Sequence, residues 1–164
     1  MEQSALRKQL EIFARKSASR TEADVQAAIA SYLTISEVGL TPSQISRLEE
    51  QLKDGTQRRI DIAFGSLVIE VKKDLKSRQI LEKSIEQLEG YLKARREADG
   101  SNYAGIITDG LEWKLFYLGS DGAQEIDSLR IDSSDEKAVD NLNRWLQTIL
   151  VNGQRLKATT ELVV

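Results

Sequence analysis

The chain has 164 residues, 40% of them hydrophobic and 30% charged, with a formal net charge of −3. That suits one globular domain with its own core, and no apolar run approaches the roughly 20 residues of a membrane span. Cysteine and histidine are both absent, which excludes disulfides, thiolate and imidazole catalysis, and zinc sites built on either residue.

The N-terminal stretch "MEQSALRKQLEIFARK" carries acidic residues and resembles neither a signal nor a transit peptide, so a cytoplasmic chain is expected. Leu6, Leu10, Ile12 and Phe13 suggest an amphipathic helix over residues 2–18. Thr21 predicts the N-cap of a second helix reaching about Ser36, with Asp24 in the position that Glu or Gln usually holds in a capping box. In "TPSQISRLEEQLKDG", Thr41 caps a third helix, Pro42 takes its first position and Gly55 stops it. Two strands follow, over about 57–64 and 67–73, and then a long helix from Ser77 to Gly100. "NYAGIIT" and "EWKLFYLG" flank Asp109-Gly110, a type I′ hairpin signal. A short strand around Gln124–Ile131 and a last helix in "SSDEKAVDNLNRWLQTIL" complete the order. This succession predicts an α/β (α+β) domain over residues 1–150, a mixed central sheet of about 4–5 strands flanked by helices. Residues 151–164 read as a tail that docks on the domain or as the start of a linker to a further part.

The segment "RRIDIAFGSLVIEVKKDL" places Asp61, Glu70 and Lys72 within aliphatic runs, where charge is costly. Gly65-Ser66 suits a two-residue hairpin loop, a register that sets Asp61 directly opposite Glu70 with Cβ atoms about 5 Å apart. Lys72 then lies on the same face, opposite Arg59. Opposed carboxylates destabilise a sheet unless a cation sits between them, and without Cys or His that cation is a hard one, Mg²⁺, Mn²⁺ or Ca²⁺. An exposed ladder of Arg59, Asp61, Glu70 and Lys72 is the alternative reading of the same alternation.

Asp61 followed after eight residues by Glu70-Val71-Lys72 resembles the D…(D/E)-x-K signature of the PD-(D/E)XK nuclease superfamily. "QLEGY", Gln87 to Tyr91, is similar to the Q-x-x-x-Y motif in the nuclease domains of type I and fused type II restriction–modification enzymes and of RecB-like exonucleases. "TEADVQAAIASYL" is similar to the family's first core helix, with Glu22 at the matching acidic position. "GIITDGLEWKLFYL" resembles the strand pair that closes the sheet. Ile60 stands where the superfamily's name has Pro, and the segment Thr41–Lys53 separates Glu22 from the hairpin more than in compact members.

The resemblance implies a restriction-endonuclease-like fold and a Mg²⁺-dependent endonuclease. Asp61, Glu70 and Glu22 would be the metal ligands, Lys72 would position or activate the attacking water, and Gln87 and Tyr91 would support the site. The implied products are 5′-phosphate and 3′-hydroxyl ends on double-stranded DNA. Arg59, Lys73, Lys76 and Arg78 gather near these residues as DNA contacts, offsetting an acidic total that argues against strong autonomous binding. Affinity would then come from a methyltransferase, motor or specificity part, with dimerisation on DNA possible and no membrane involved. A standalone exonuclease or repair nuclease, and a non-catalytic nucleic-acid-binding or assembly module, are the competing readings.

Overall fold

The computed structural model describes residues 2–15, 19–36, 59–62, 67–100 and 104–162, with the backbone alone at 2–3, 59–62, 99 and 151–162. Four described helices, α1 (Glu2–Phe13), α2 (Glu22–Ser36), α3 (Arg78–Asp99) and α4 (Ala138–Leu162), pack about a five-stranded sheet. Its strands are β1 (Arg59–Ile62), β2 (Leu67–Val71), β3 (Ala104–Thr108), β4 (Glu112–Gly119) and β5 (Gly122–Arg130). They lie in sequence order, and the sheet is mixed: β2 and β3 are parallel, joined through α3, while the other neighbours are antiparallel. The fold class read from the element order is thus an α/β one. The helix expected over Thr41–Lys53 lies outside the described residues.

Local chemistry accounts for the helix ends. Thr21 Oγ1 accepts from the Asp24 N–H at 3.1 Å and Asp24 Oδ2 accepts from the Thr21 N–H at 2.8 Å, a capping box completed by Asp. Ser77 caps α3, its Oγ accepting from the Ile80 N–H, and Gly100 ends that helix in a left-handed conformation, φ 72°. The first helix stops at Phe13, short of the expected 18, and among its described side chains Leu6, Leu10 and Phe13 are the buried ones. Ile12 falls outside that i, i+4, i+7 stripe and is 46% exposed.

The sheet separates two cores. On one face Leu67, Ile69, Val71, Ile106, Trp113 and Leu115 meet α1, α2 and α4, with Phe13 edge-on to both Tyr32 and Trp113 at ring separations of 5.6 and 5.9 Å. On the other face Val68, Ile107 and Phe116 meet Leu88 and Leu92 of α3. There α3 sits so close to β3 that a Cβ on Gly105 would lie 2.6 Å from both Leu88 methyl carbons. The last helix continues across position 150 to Leu162, where the sequence suggested a tail or linker. β5 starts at Gly122 and is nine residues long, so it is a full edge strand and not the short one expected. Among the described residues no helix is long and apolar enough to cross a membrane.

The β3–β4 connection differs from a two-residue type I′ turn. Thr108 pairs with Trp113, so four residues lie between the paired positions. Asp109 organises them: its Oδ1 accepts from the N–H groups of Leu111 and Glu112 at 3.0 and 2.9 Å. Gly110 adopts φ 93°, and its carbonyl accepts from the Trp113 indole N–H.

Candidate functional site

Strand alternation sends Leu67, Ile69 and Val71 to the larger core, so Val68 and Glu70 face the α3 side. Glu70 is consequently 2% exposed. A carboxylate at that depth is destabilising without a cation, and Lys72 supplies one, with Nζ 3.7 Å from Glu70 Oε1. The same ammonium donates to Gln87 Oε1 at 3.4 Å, linking the end of β2 to the middle of α3. Lys72 follows the last residue of β2 but remains in the parallel ladder, its N–H donating to the Thr108 carbonyl at 2.9 Å.

Gln87 and Tyr91 lie one turn apart on α3, as their i, i+4 spacing requires. Tyr91 is half-buried against the smaller core, and the Arg95 guanidinium carbon is 6.0 Å from its ring centroid, at the limit of a cation–π contact. Glu70, Lys72, Gln87 and Tyr91 thus lie on one side of the sheet, the side that α3 covers.

The expected register of the β1–β2 hairpin is corrected by two residues. Ile62 pairs with Leu67, Asp61 with Val68, and Arg59 with Glu70. The connection therefore spans residues 63–66 rather than Gly65-Ser66 alone, and Asp61 is not directly opposite Glu70. Alternation cannot detect this error, because a slip of two positions keeps every residue on its original face, whereas a slip of one would have reversed them all. Position 61 remains on the face of Val68 and Glu70, one diagonal step from Glu70. Such steps measure about 7–8 Å and lie within reach of long side chains.

Glu22 stands in the first turn of α2, a helix whose buried residues all join the core on the opposite face of the sheet from Glu70. Among the described residues, no group of three or more Asp or Glu side chains assembles into a metal-holding cluster. Lys73, Lys76 and Arg78 are exposed on the segment from the end of β2 into the first turn of α3, directly past Lys72. Arg78 pairs with Glu82 at 3.3 Å across one helical turn, and the Lys76 N–H donates to Asp74 Oδ1. Arg59 is the backbone partner of Glu70 and not of the Lys72 position.

Two buried residues near the site have roles that the sequence does not announce. Arg20 is buried to 7% exposure, although it reads as an ordinary polar residue ahead of a helix cap. Asp109, 1% exposed, reads as half of a turn dipeptide, yet its Oδ2 reaches across to accept from the Leu75 N–H at 3.0 Å. Comparison with protein-family models, with curated proteins and with solved structures finds no match to this chain.

Proposed function

We propose that this chain is a Mg²⁺-dependent DNA endonuclease domain of the PD-(D/E)XK type, acting within a restriction system. One observation carries the reading: a carboxylate, Glu70, is buried away from the main core and paired with an ammonium, Lys72, that a glutamine on the neighbouring helix holds in place. Removing the Glu70 carboxylate from water is unfavourable even with a part-exposed ammonium beside it, and an apolar residue of similar size often serves stability as well or better. A buried carboxylate beside a half-buried ammonium at the end of β2, with Asp61 one diagonal step away, is better explained by chemistry than by folding.

The donor chemistry fits a hard cation. Glu70 and Asp61 offer carboxylate oxygens, and Mg²⁺ is commonly held by one or two carboxylates, the rest of its shell being waters and phosphate oxygens. Mg²⁺ bound there would supply Lewis-acid stabilisation of charge on the scissile phosphate. The Lys72 ammonium would neutralise the negative charge that develops as water attacks phosphorus and the 3′-oxygen departs. Gln87, accepting from Lys72, would keep that ammonium aimed at the reacting centre. Lys73, Lys76 and Arg78 would contact the phosphate backbone nearby, while a methyltransferase, motor or specificity part supplies most of the affinity.

Plasmid nicking with Mg²⁺ or Mn²⁺ tests the reading, with Glu70→Gln, Asp61→Asn and Lys72→Met beside the parent. Each substitution is expected to lower the rate by at least a hundredfold. Calorimetric titration with Mn²⁺ should show binding that Glu70→Gln abolishes and Lys72→Met leaves intact. A chain that neither cuts DNA nor binds Mn²⁺ is instead a non-catalytic module in which the Glu70–Lys72 pair is structural. Comparing circular with end-labelled linear substrates separates endonuclease from exonuclease action.

A further inference from the structure

Arg20 lies between α1 and α2, and its guanidinium points into the protein. Nη1 donates to the carbonyls of Phe13 at 2.7 Å and Arg15 at 3.3 Å, where α1 ends. Nη2 donates to the carbonyls of Lys73 at 2.8 Å and Asp109 at 2.9 Å. One planar fork thus joins the end of α1, the segment leaving β2 and the turn leaving β3. A guanidinium can do this because its donors diverge in a fixed plane, whereas an ammonium is a single point.

Asp109 completes the connection from the other side. Its Oδ2 accepts from the Leu75 N–H, while Oδ1 holds the turn through Leu111 and Glu112. The backbone from Lys72 to Leu75 is therefore held at three successive points: the Lys72 N–H on Thr108, the Lys73 carbonyl on Arg20 and the Leu75 N–H on Asp109. This is the segment on which the Lys72 side chain is mounted. Beyond Lys72 the sheet offers it no further support, because β2 ends at Val71.

We infer that Arg20 and Asp109 are positioning residues, a clamp on the backbone of Lys72–Leu75 that sets the Lys72 ammonium between Glu70 and Gln87. The clamp approaches from the side of α1 and α2, opposite the α3 side on which the ammonium lies, so it acts through the main chain without touching the reacting atoms. Its catalytic meaning rests on the nuclease reading of Lys72; its mechanical content does not.

Two substitutions separate the parts. Arg20→Lys keeps the charge but cannot span carbonyls on three segments. In Asp109→Asn the amide has only one oxygen, which is retained by the two turn N–H groups, and its NH₂ then faces the Leu75 N–H. Amide hydrogen exchange on the full chain is the first readout. Both variants should speed exchange at Lys72 and Leu75 at least tenfold, with Leu88 and Leu92 of α3 within twofold of the parent. Steady-state cleavage is the second: kcat should fall at least tenfold while KM for DNA and the Mn²⁺ Kd stay within twofold. Unchanged exchange at Lys72 and Leu75 in both variants overturns the clamp, as does acceleration spread evenly over the chain. Faster local exchange with unaltered kcat overturns the positioning role. If the parent itself does not cleave DNA, the nuclease reading fails and the exchange data alone decide the clamp.

Discussion

Replacing Gly110 with alanine attacks the junction between the β3–β4 turn and the end of α1. Gly110 has φ 93°, and a Cβ there would overlap the Phe13 carbonyl oxygen and lie 2.7 Å from its carbon. A side chain in left-handed backbone costs about 1–2 kcal/mol by itself. The blocking atom is backbone and cannot rotate away, and it is the oxygen that accepts from Arg20 Nη1. Moving it surrenders a buried, charge-assisted hydrogen bond worth about 1.5–3 kcal/mol. The combined loss is expected to be about 2.5–5 kcal/mol, and for a domain of this size each kcal/mol lowers Tm by roughly 2–4 °C. Gly100→Ala provides the internal standard: its φ is 72° but nothing lies within 4 Å of the added methyl, so only the conformational part, about 1–2 kcal/mol, applies. Equilibrium urea denaturation of both variants measures the difference. If Gly110→Ala loses no more stability than Gly100→Ala, the contact between this turn and α1 is not as described.

Gly90 lies mid-helix in α3 with open space where a Cβ would go, so Gly90→Ala should raise stability by about 0.5–1 kcal/mol, read as a higher urea midpoint at unchanged slope. The Glu70–Lys72 pair should behave asymmetrically: Lys72→Met alone leaves Glu70 buried without its ammonium and should destabilise, whereas Glu70→Gln combined with Lys72→Met should recover most of that loss in thermal melts. Burial, with a smaller contribution from Asp140, raises the Tyr32 phenol well above its ordinary 10.0. The unfolded chain therefore ionises this group first, and the associated stability is complete below pH 10 and falls as pH rises beyond it, by at most about 1.4 kcal/mol per unit. Tyr32→Phe should flatten that alkaline decline in denaturation curves taken from pH 9 to 11. At neutral pH the same variant should lose about 1 kcal/mol with the hydroxyl's bonds to Asn143 and Val139.

What could be read in advance was local or periodic. Thr21 with Asp24, Ser77 and Gly100 mark helix ends because capping is decided within four residues of chain. Alternation correctly assigned Glu70 to the face opposite Leu67, Ile69 and Val71, and helical spacing set Gln87 and Tyr91 together. The pairing of Asp61 failed because hydrophobic pattern fixes only which face a residue takes, and the loop length that sets the register leaves little trace in composition. Asp109 was recognisable as a turn former, but its bond to Leu75 joins segments 34 positions apart. Arg20 was less visible still: its four acceptors are main-chain carbonyls, a group every residue carries, so no residue type elsewhere in the chain marks them.

Gly105 has no side chain and would escape any search for reactive groups, yet it governs how near a neighbouring residue can come. Leu88 rests directly on it, and Gln87 is the preceding residue on the same rigid rod. A single methyl at 105 would overlap the Leu88 side chain and force this contact between α3 and β3 to repack, next to the amide that accepts from the lysine, leaving every polar group intact in name. On the proposed nuclease reading, activity would thus depend on an inert position in the strand beside the one that carries Glu70, which is why an inventory of acids and bases understates what such a centre requires.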